Sequence, residues 1–308
     1  FGGEGYKLPD EVEDEIEHHV FNNGAELTLA TGTAIGTVKR VDSALNDYVD
    51  YLADAIDADL SGLNIAVDCA NGASSAPASL LFPRLGATCH FIGNEPDGCN
   101  INEGCGSTHI DKLAEYVVKN GLDCGVAFDG DADRCLAVDE KGKEIDGDKI
   151  IAILSTDMKR EGKLKQDTAV VTVMSNLGFI EYMRQNGMKT AITAVGDRYV
   201  LEEMRDKGYV IGGEQSGHII LLQHSTTGDG ELTAGMLLRT LAEKKCKMSE
   251  LNALYTRYPQ VTVNVKATNE QKARYKEDEY IAGFVESQQQ SLMGLGRVLV
   301  RASGTEPL

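Results

Sequence analysis

The chain has 308 residues, 42% of them hydrophobic and 25% charged, and a formal net charge of −18. That length supports two or three domains with ample cores, and the composition is that of an ordinary soluble globular protein. The acidity argues against a nucleic-acid surface, which needs a basic face, but still allows a local basic pocket for phosphate.

Seven cysteines (Cys69, Cys89, Cys99, Cys105, Cys124, Cys135 and Cys246) are scattered, with no C-x-x-C pair. This pattern predicts reduced thiols in a cytoplasmic protein, with Cys99 and Cys105 packed rather than metal-bound. No apolar run approaches the ~18 residues of a membrane span. The chain opens at Phe1-Gly2-Gly3 with neither Met nor a signal peptide, so it is expected to be a piece of a longer polypeptide.

In chain order, Glu11 to Val20 reads as an acidic helix with Asp10 as its N-cap, and Gly24 to Lys39 as a connector. Val41 to Ile56 carries a helical apolar stripe. Leu63 to Cys69 is a buried strand that runs into the small-residue loop Ala70 to Ser75, as at the opening of a βαβ unit. A helix over 78–85, a strand over 88–92, a long loop over 93–106 and a helix over 109–120 follow.

The run Cys124 to Asp139 then reads strand, acidic loop, strand. Asp129, Asp131 and Asp133 alternate with Gly130 and Ala132, and Arg134 follows. Three carboxylates so close repel one another, and a hard divalent cation with oxygen ligands stabilises them. Alternate residues of an extended loop project to one side, and small residues between them let the backbone wrap tightly. A solvated acidic turn explains this pattern less well. An EF-hand loop fails, because Arg134 stands where its glycine is needed and strands replace its helices.

The pattern repeats with helices over 148–160, 178–185 and 197–207 and strands over 169–174, 189–195 and 209–212. The loop Gly212-Gly213-Glu214-Gln215-Ser216-Gly217-His218 follows, then a strand over 219–222 and a helix over 231–243. Glu214 and Ser216 can grip sugar hydroxyls, and His218 can shuttle protons near neutral pH. A locally bonded serine and a packed histidine are the plainer alternative. Asp197 reads as an N-cap, with Arg198 at a helix N-terminus able to add to a phosphate site. Beyond Pro259, Val261 to Val265 and Arg297 to Val300 read as strands around a polar helix over 269–290. Arg301-Ala302-Ser303-Gly304-Thr305 reads as an anion nest or, more plainly, a polar turn.

Taken together, Asp129-Gly130-Asp131-Ala132-Asp133-Arg134, Gly213 to Gly217 and Arg301 to Pro307 resemble, in order and spacing, the α-D-phosphohexomutase superfamily. They match its D-G-D-x-D-R, G-E-x-S-G and R-x-S-G-T-E-P loops across nearly the whole chain, with Ala302 where proline is commoner. Gln215 with His218 is similar to the branch that acts on glucosamine phosphates.

The resemblance implies an α/β fold of tandem α/β/α domains with mixed sheets, plus a partial α+β C-terminal domain. The expected divisions are 1–40 (the tail of an N-terminal domain and a connector), 41–141, 142–256 and 257–308. The implied reaction interconverts glucosamine 6-phosphate and glucosamine 1-phosphate through a phosphoserine and glucosamine 1,6-bisphosphate. Mg²⁺ would sit on Asp129, Asp131 and Asp133, and Glu214 and Ser216 on the sugar. Arg301, Ser303, Gly304 and Thr305 would hold the resting phosphate, and Arg134 and His218 would take catalytic parts. A phosphosugar is the expected partner, with no nucleic acid and no membrane, and a homodimer is the expected assembly. The superfamily's serine loop, T-x-S-H-N, and its general-base lysine belong to a first domain and have no match here, so the chain alone is expected to be inactive. Rival readings are a phosphomannomutase/phosphoglucomutase, a non-catalytic sugar-phosphate module and a metal-dependent phosphatase.

Overall fold

The computed structural model describes residues 2–22, 28–293 and 295–302. The chain divides into two compact units, Phe1–Thr256 and Arg257–Leu308.

In the first unit, helix α1 (Asp10–Phe21) begins at Asp10, so Pro9, and not the expected Asp10, occupies the cap position. Proline fixes an extended entry there without a side-chain bond (φ −62°, ψ 150°). Helix α2 (Ala44–Ile56) buries Val49, Leu52 and Ile56 and ends at Asp57 in the left-handed region. Strand β1 (Asn64–Asp68), helix α3 (Ser75–Arg84), strand β2 (Thr88–Ile92), helix α4 (Ile110–Asn120) and strand β3 (Cys124–Phe128) follow. Strands β4 (Cys135–Asp139) and β5 (Glu144–Ile145) complete a sheet of order β2-β1-β3-β4-β5. Its first three strands are mutually parallel, and β4 runs antiparallel to both its neighbours, β3 and β5.

The central strands read as continuous apolar runs because helices cover both faces. Ile65, Val67, Val126 and Phe128 share a core with Leu52 and Phe82 of α2 and α3. The alternating Ala66 and Ala127 pack with Leu113 and Val117 of α4.

A second sheet follows the same plan. Helix α5 (Gly147–Arg160) leads to strand β6 (Thr168–Thr172), helix α6 (Leu177–Gln185), strand β7 (Lys189–Thr193) and helix α7 (Asp197–Lys207). Strands β8 (Ile211–Gly213) and β9 (Ile219–Leu221) come next, then helices α8 (Gly230–Lys244) and α9 (Met248–Asn252). The sheet order is β7-β6-β8-β9, with β9 alone antiparallel. It therefore reproduces β2-β1-β3-β4 strand for strand. Side chains of α2, α5 and α8, including Ile56, Leu154 and Leu237, share one buried core.

In the second unit the expected helix over 269–290 is two, α10 (Asn269–Arg274) and α11 (Glu279–Ser291). A 3₁₀ turn at Tyr275–Glu277 separates them, and Asp278 caps α11 by accepting from the Tyr280 and Ile281 N–H groups. The segments 261–265 and 297–300, expected as strands, are not strands. Val261, Val263 and Val265 are 86%, 76% and 71% exposed, and no ladder partner exists for them among the described residues. Alternation alone does not make a strand, since its backbone groups need a neighbouring chain. Among the described residues no helix is long and apolar enough to cross a membrane.

Candidate active site

The two chemical loops occupy equivalent places in the two sheets. The acidic loop joins β3 to β4, and the Glu214–His218 loop joins β8 to β9. In each case the loop connects the last parallel strand to its antiparallel neighbour. The two hairpins also meet. Arg134 and His218 form an isolated antiparallel bridge, and the Cys135 N–H donates to the Gly217 carbonyl at 3.0 Å.

A tight turn shapes the acidic loop. Ala132 takes a left-handed conformation (φ 61°), and its N–H donates to the Asp129 carbonyl at 3.1 Å. That turn gathers carboxylate oxygens of Asp129, Asp131 and Asp133 within 4.8 Å of one another. Arg134 closes it, its N–H donating to Asp129 Oδ1 at 3.1 Å. The Arg134 Nε stands 3.5 Å from Asp129 Oδ2 and 3.8 Å from Asp133 Oδ1. Two flanking loops hold the backbone, with Ala73 N–H on the Gly130 carbonyl and Gly230 N–H on the Ala132 carbonyl, each at 2.9 Å.

Electrostatics inside the loop are unequal. Burial, followed by the Asp133 charge, pushes the Asp129 carboxyl up to about 6. A hydrogen bond from His218 holds Asp133 below the usual carboxylate range. Asp133 Oδ1 is buried and accepts no hydrogen bond among the described residues. A converging set of hard oxygens, one lacking any hydrogen bond, fits a divalent cation such as Mg²⁺. Asp157, Glu161 and Glu243 form a second acidic group, but Arg160 and Lys244 already lie 2.8 and 3.2 Å from Asp157 Oδ1.

In the Glu214–His218 loop, Glu214 Oε1 accepts from the Gly196 N–H at 3.1 Å, and Ser216 is exposed. The Gln215 amide lies 3.3 Å from both Asp146 Oδ2 and Asp148 Oδ2, and its carbonyl accepts from the Gly147 N–H at 3.0 Å. Gln215 therefore anchors the loop to the N-terminus of α5.

His218, expected as a proton shuttle, is only 3% exposed, and both its ring nitrogens are engaged. Nδ1 lies 3.0 Å from Asp133 Oδ2, and Nε2 accepts from the Gly228 N–H at 3.2 Å.

Sequence reasoning missed part of this constellation. Asp197 is the first residue of α7, with Gly196 at the cap position, so the expected Asp197 cap is not formed. Its carboxylate instead reaches 3.5 Å from His218 Nε2 and also pairs with Lys7. Arg198 Nε donates to Glu202 Oε1 at 2.9 Å. No local motif marks the Asp197–His218 approach, because it joins residues on different elements.

In the second unit, Arg301 is exposed and lines an open cleft of about 750 Å³ with Lys266, Lys272 and Arg274. Ser303, Gly304 and Thr305 lie outside the described residues.

Three family profiles match the chain. They are described as Phosphoglucomutase/phosphomannomutase alpha/beta/alpha domain II over residues 46–142, alpha/beta/alpha domain III over 146–258 and C-terminal domain over 263–308. A phosphoglucosamine mutase of Thermoanaerobacter sp. (strain X514) is 53% identical over all of this chain and 69% of its own length. That of Clostridium tetani is 51% identical over 99% of this chain and 68% of its own length. Among solved structures, Aspergillus fumigatus N-acetylphosphoglucosamine mutase in complex with GlcNAc-6P and magnesium superimposes with a TM-score of 0.67 at 21% identity. That match covers 88% of this chain and 62% of the other, and it bears on the fold alone. A complex of the same fungal enzyme with glucose 1,6-bisphosphate gives 0.68 at 22% identity, covering 84% and 59%.

Proposed function

The chain belongs to the phosphoglucomutase/phosphomannomutase family, on the phosphoglucosamine mutase branch of these phosphoryl-moving isomerases, and on that premise we propose how its residues divide the work. The reaction is the interconversion of glucosamine 6-phosphate and glucosamine 1-phosphate, for the synthesis of UDP-N-acetylglucosamine. The observation that carries the division of labour is the Arg134–His218 bridge, which sets the acidic loop and the Glu214–His218 loop against each other.

Asp129, Asp131 and Asp133 hold the divalent cation. The chemistry that Mg²⁺ supplies when held there is neutralisation of charge on the phosphoryl oxygens in the transition state. Arg134, with its guanidinium half exposed, steadies the transferring phosphoryl group. Glu214 accepts hydrogen bonds from sugar hydroxyls, and Ser216 donates or accepts beside it. Arg301 forks the phosphate that is not reacting, with Ser303, Gly304 and Thr305 completing that grip. Glucosamine 1,6-bisphosphate is the intermediate, and it turns over so that either phosphate faces the phosphoryl-carrying serine. No serine of this chain stands in a T-x-S-H-N setting, so these 308 residues alone are expected to give no turnover. The scattered thiols support a cytoplasmic location, and a homodimer is the proposed assembly.

The test is mutase activity on glucosamine 6-phosphate against glucose and mannose 6-phosphates, with Mg²⁺ and a bisphosphate activator, in a form of the enzyme that includes the serine loop. Preference for the amino sugar is expected. Preference for a neutral sugar phosphate would keep the metal loop and overturn the substrate.

A further inference from the structure

His218 touches the acidic loop from the opposite hairpin, and its ring is almost fully buried there. The ring is 3% exposed and lies between Asp133, Asp197 and the Gly228 N–H. Since Gly228 donates to Nε2, that nitrogen carries the lone pair and the ring proton sits on Nδ1, directed at Asp133 Oδ2. The close fit extends to the backbone, because a Cβ at Gly228 would lie 2.5 Å from the His218 ring. Asp133 thus gives one oxygen to His218, while its other oxygen, Oδ1, is buried and accepts no hydrogen bond among the described residues, with Arg134 Nε 3.8 Å away.

We propose that His218 is a positioning residue for the cation site: its Nδ1–H fixes the Asp133 carboxylate so that Oδ1 faces the cation shared with Asp129 and Asp131. The inference rests on the reading of the acidic loop as a metal site. Groups that orient a metal ligand in this way change metal affinity by about 10- to 100-fold when removed. His218 also belongs to the Glu214–His218 loop, so it ties the metal ligand to the backbone that presents Glu214.

The experiment is Mn²⁺ titration of the 308-residue chain by calorimetry and electron paramagnetic resonance, with thermal unfolding run alongside. Asparagine can place an amide N–H near the position of Nδ1, whereas glutamine places it near Nε2. His218→Asn is therefore expected to bind Mn²⁺ within about threefold of the unsubstituted chain, and His218→Gln at least about tenfold more weakly. Asp197→Asn, which changes the other neighbour of the ring, is expected to leave Mn²⁺ affinity within about threefold. Equal affinity in the glutamine variant, or equal losses in the asparagine and glutamine variants, would overturn the positioning role. Absence of Mn²⁺ binding in the unsubstituted chain would overturn the metal reading itself, and this inference with it. If His218→Gln does not fold, the asparagine variant still decides, because a tenfold loss there removes the argument from Nδ1.

Discussion

The backbone of Arg134, closing the acidic loop, pairs with the backbone of His218, closing the loop that carries Glu214. Two hairpins from separate sheets are thereby joined at their tips, where the chemistry is proposed to occur. Cation and sugar sites so joined can be tested apart.

Asp131→Asn removes the most exposed of the three carboxylates. Mn²⁺ or Mg²⁺ affinity should fall at least about tenfold, and the thermal shift on adding metal should shrink with it. Without metal the variant should be as stable as the parent chain or slightly more so, because a like-charge repulsion is relieved. Arg301→Ala should leave metal binding unchanged and weaken phosphosugar binding. Calorimetry with each ligand separates the two.

Gly147 lies against the Glu214–His218 loop so closely that a Cβ there would collide with the Glu214 carbonyl oxygen. Gly147→Ala is therefore expected to destabilise the fold by about 1–3 kcal/mol, or to displace the loop. Urea unfolding measures the first outcome. A loss of phosphosugar affinity without loss of stability would report the second.

Glu231 is 1% exposed, and burial followed by the Asp229 charge pushes its carboxyl up to about 9. Its folded value lies above its unfolded one, so its contribution is full below about 4.5 and is lost as pH rises towards 9. Glu231→Gln should therefore stabilise the chain at pH 8 by a few kcal/mol, with the advantage fading near pH 4.5. Thermal unfolding across that range checks the slope. An equal effect at both ends would mean that Glu231 does not titrate as argued.

Gln215 gave the sequence its hint of an amino-sugar substrate, yet its amide faces Asp146 and Asp148. Gln215→Met should cost stability, about 1–2 kcal/mol, with little change in the preference between amino and neutral sugar phosphates. Competition assays in a form carrying the serine loop would reveal any shift in preference.

How far the chain could be read from sequence follows from the range of each interaction. The strands β1, β3 and β6 were legible because continuous burial leaves continuous apolar runs, as in Val126-Ala127-Phe128. The acidic loop was legible because its three carboxylates are close in sequence. The meeting of His218 with Asp133 and Asp197 was not, since these groups come from two different loops and the start of a helix. Nor was the repeated sheet order demonstrable, because pairing depends on partners far along the chain. The opposite failure occurred at Val261 to Val265, where an alternating pattern exists with no sheet among the described residues to receive it.

The joins around the two hairpins are made by main chain meeting main chain. A side chain at Gly72 would strike the Gly130 carbonyl, one at Gly217 the Cys135 carbonyl and one at Gly230 the Arg134 carbonyl. None of these glycines carries a side chain that could touch a phosphate or a sugar. Their contribution is the thickness of a seam too narrow to admit even a methyl group. Enlarging any of them would leave every reactive side chain in the sequence and still spoil the spacing between them. For this chain, an inventory of functional groups is therefore an incomplete guide to harmful substitutions, because the most restrictive positions are those with nothing to offer but absence of bulk.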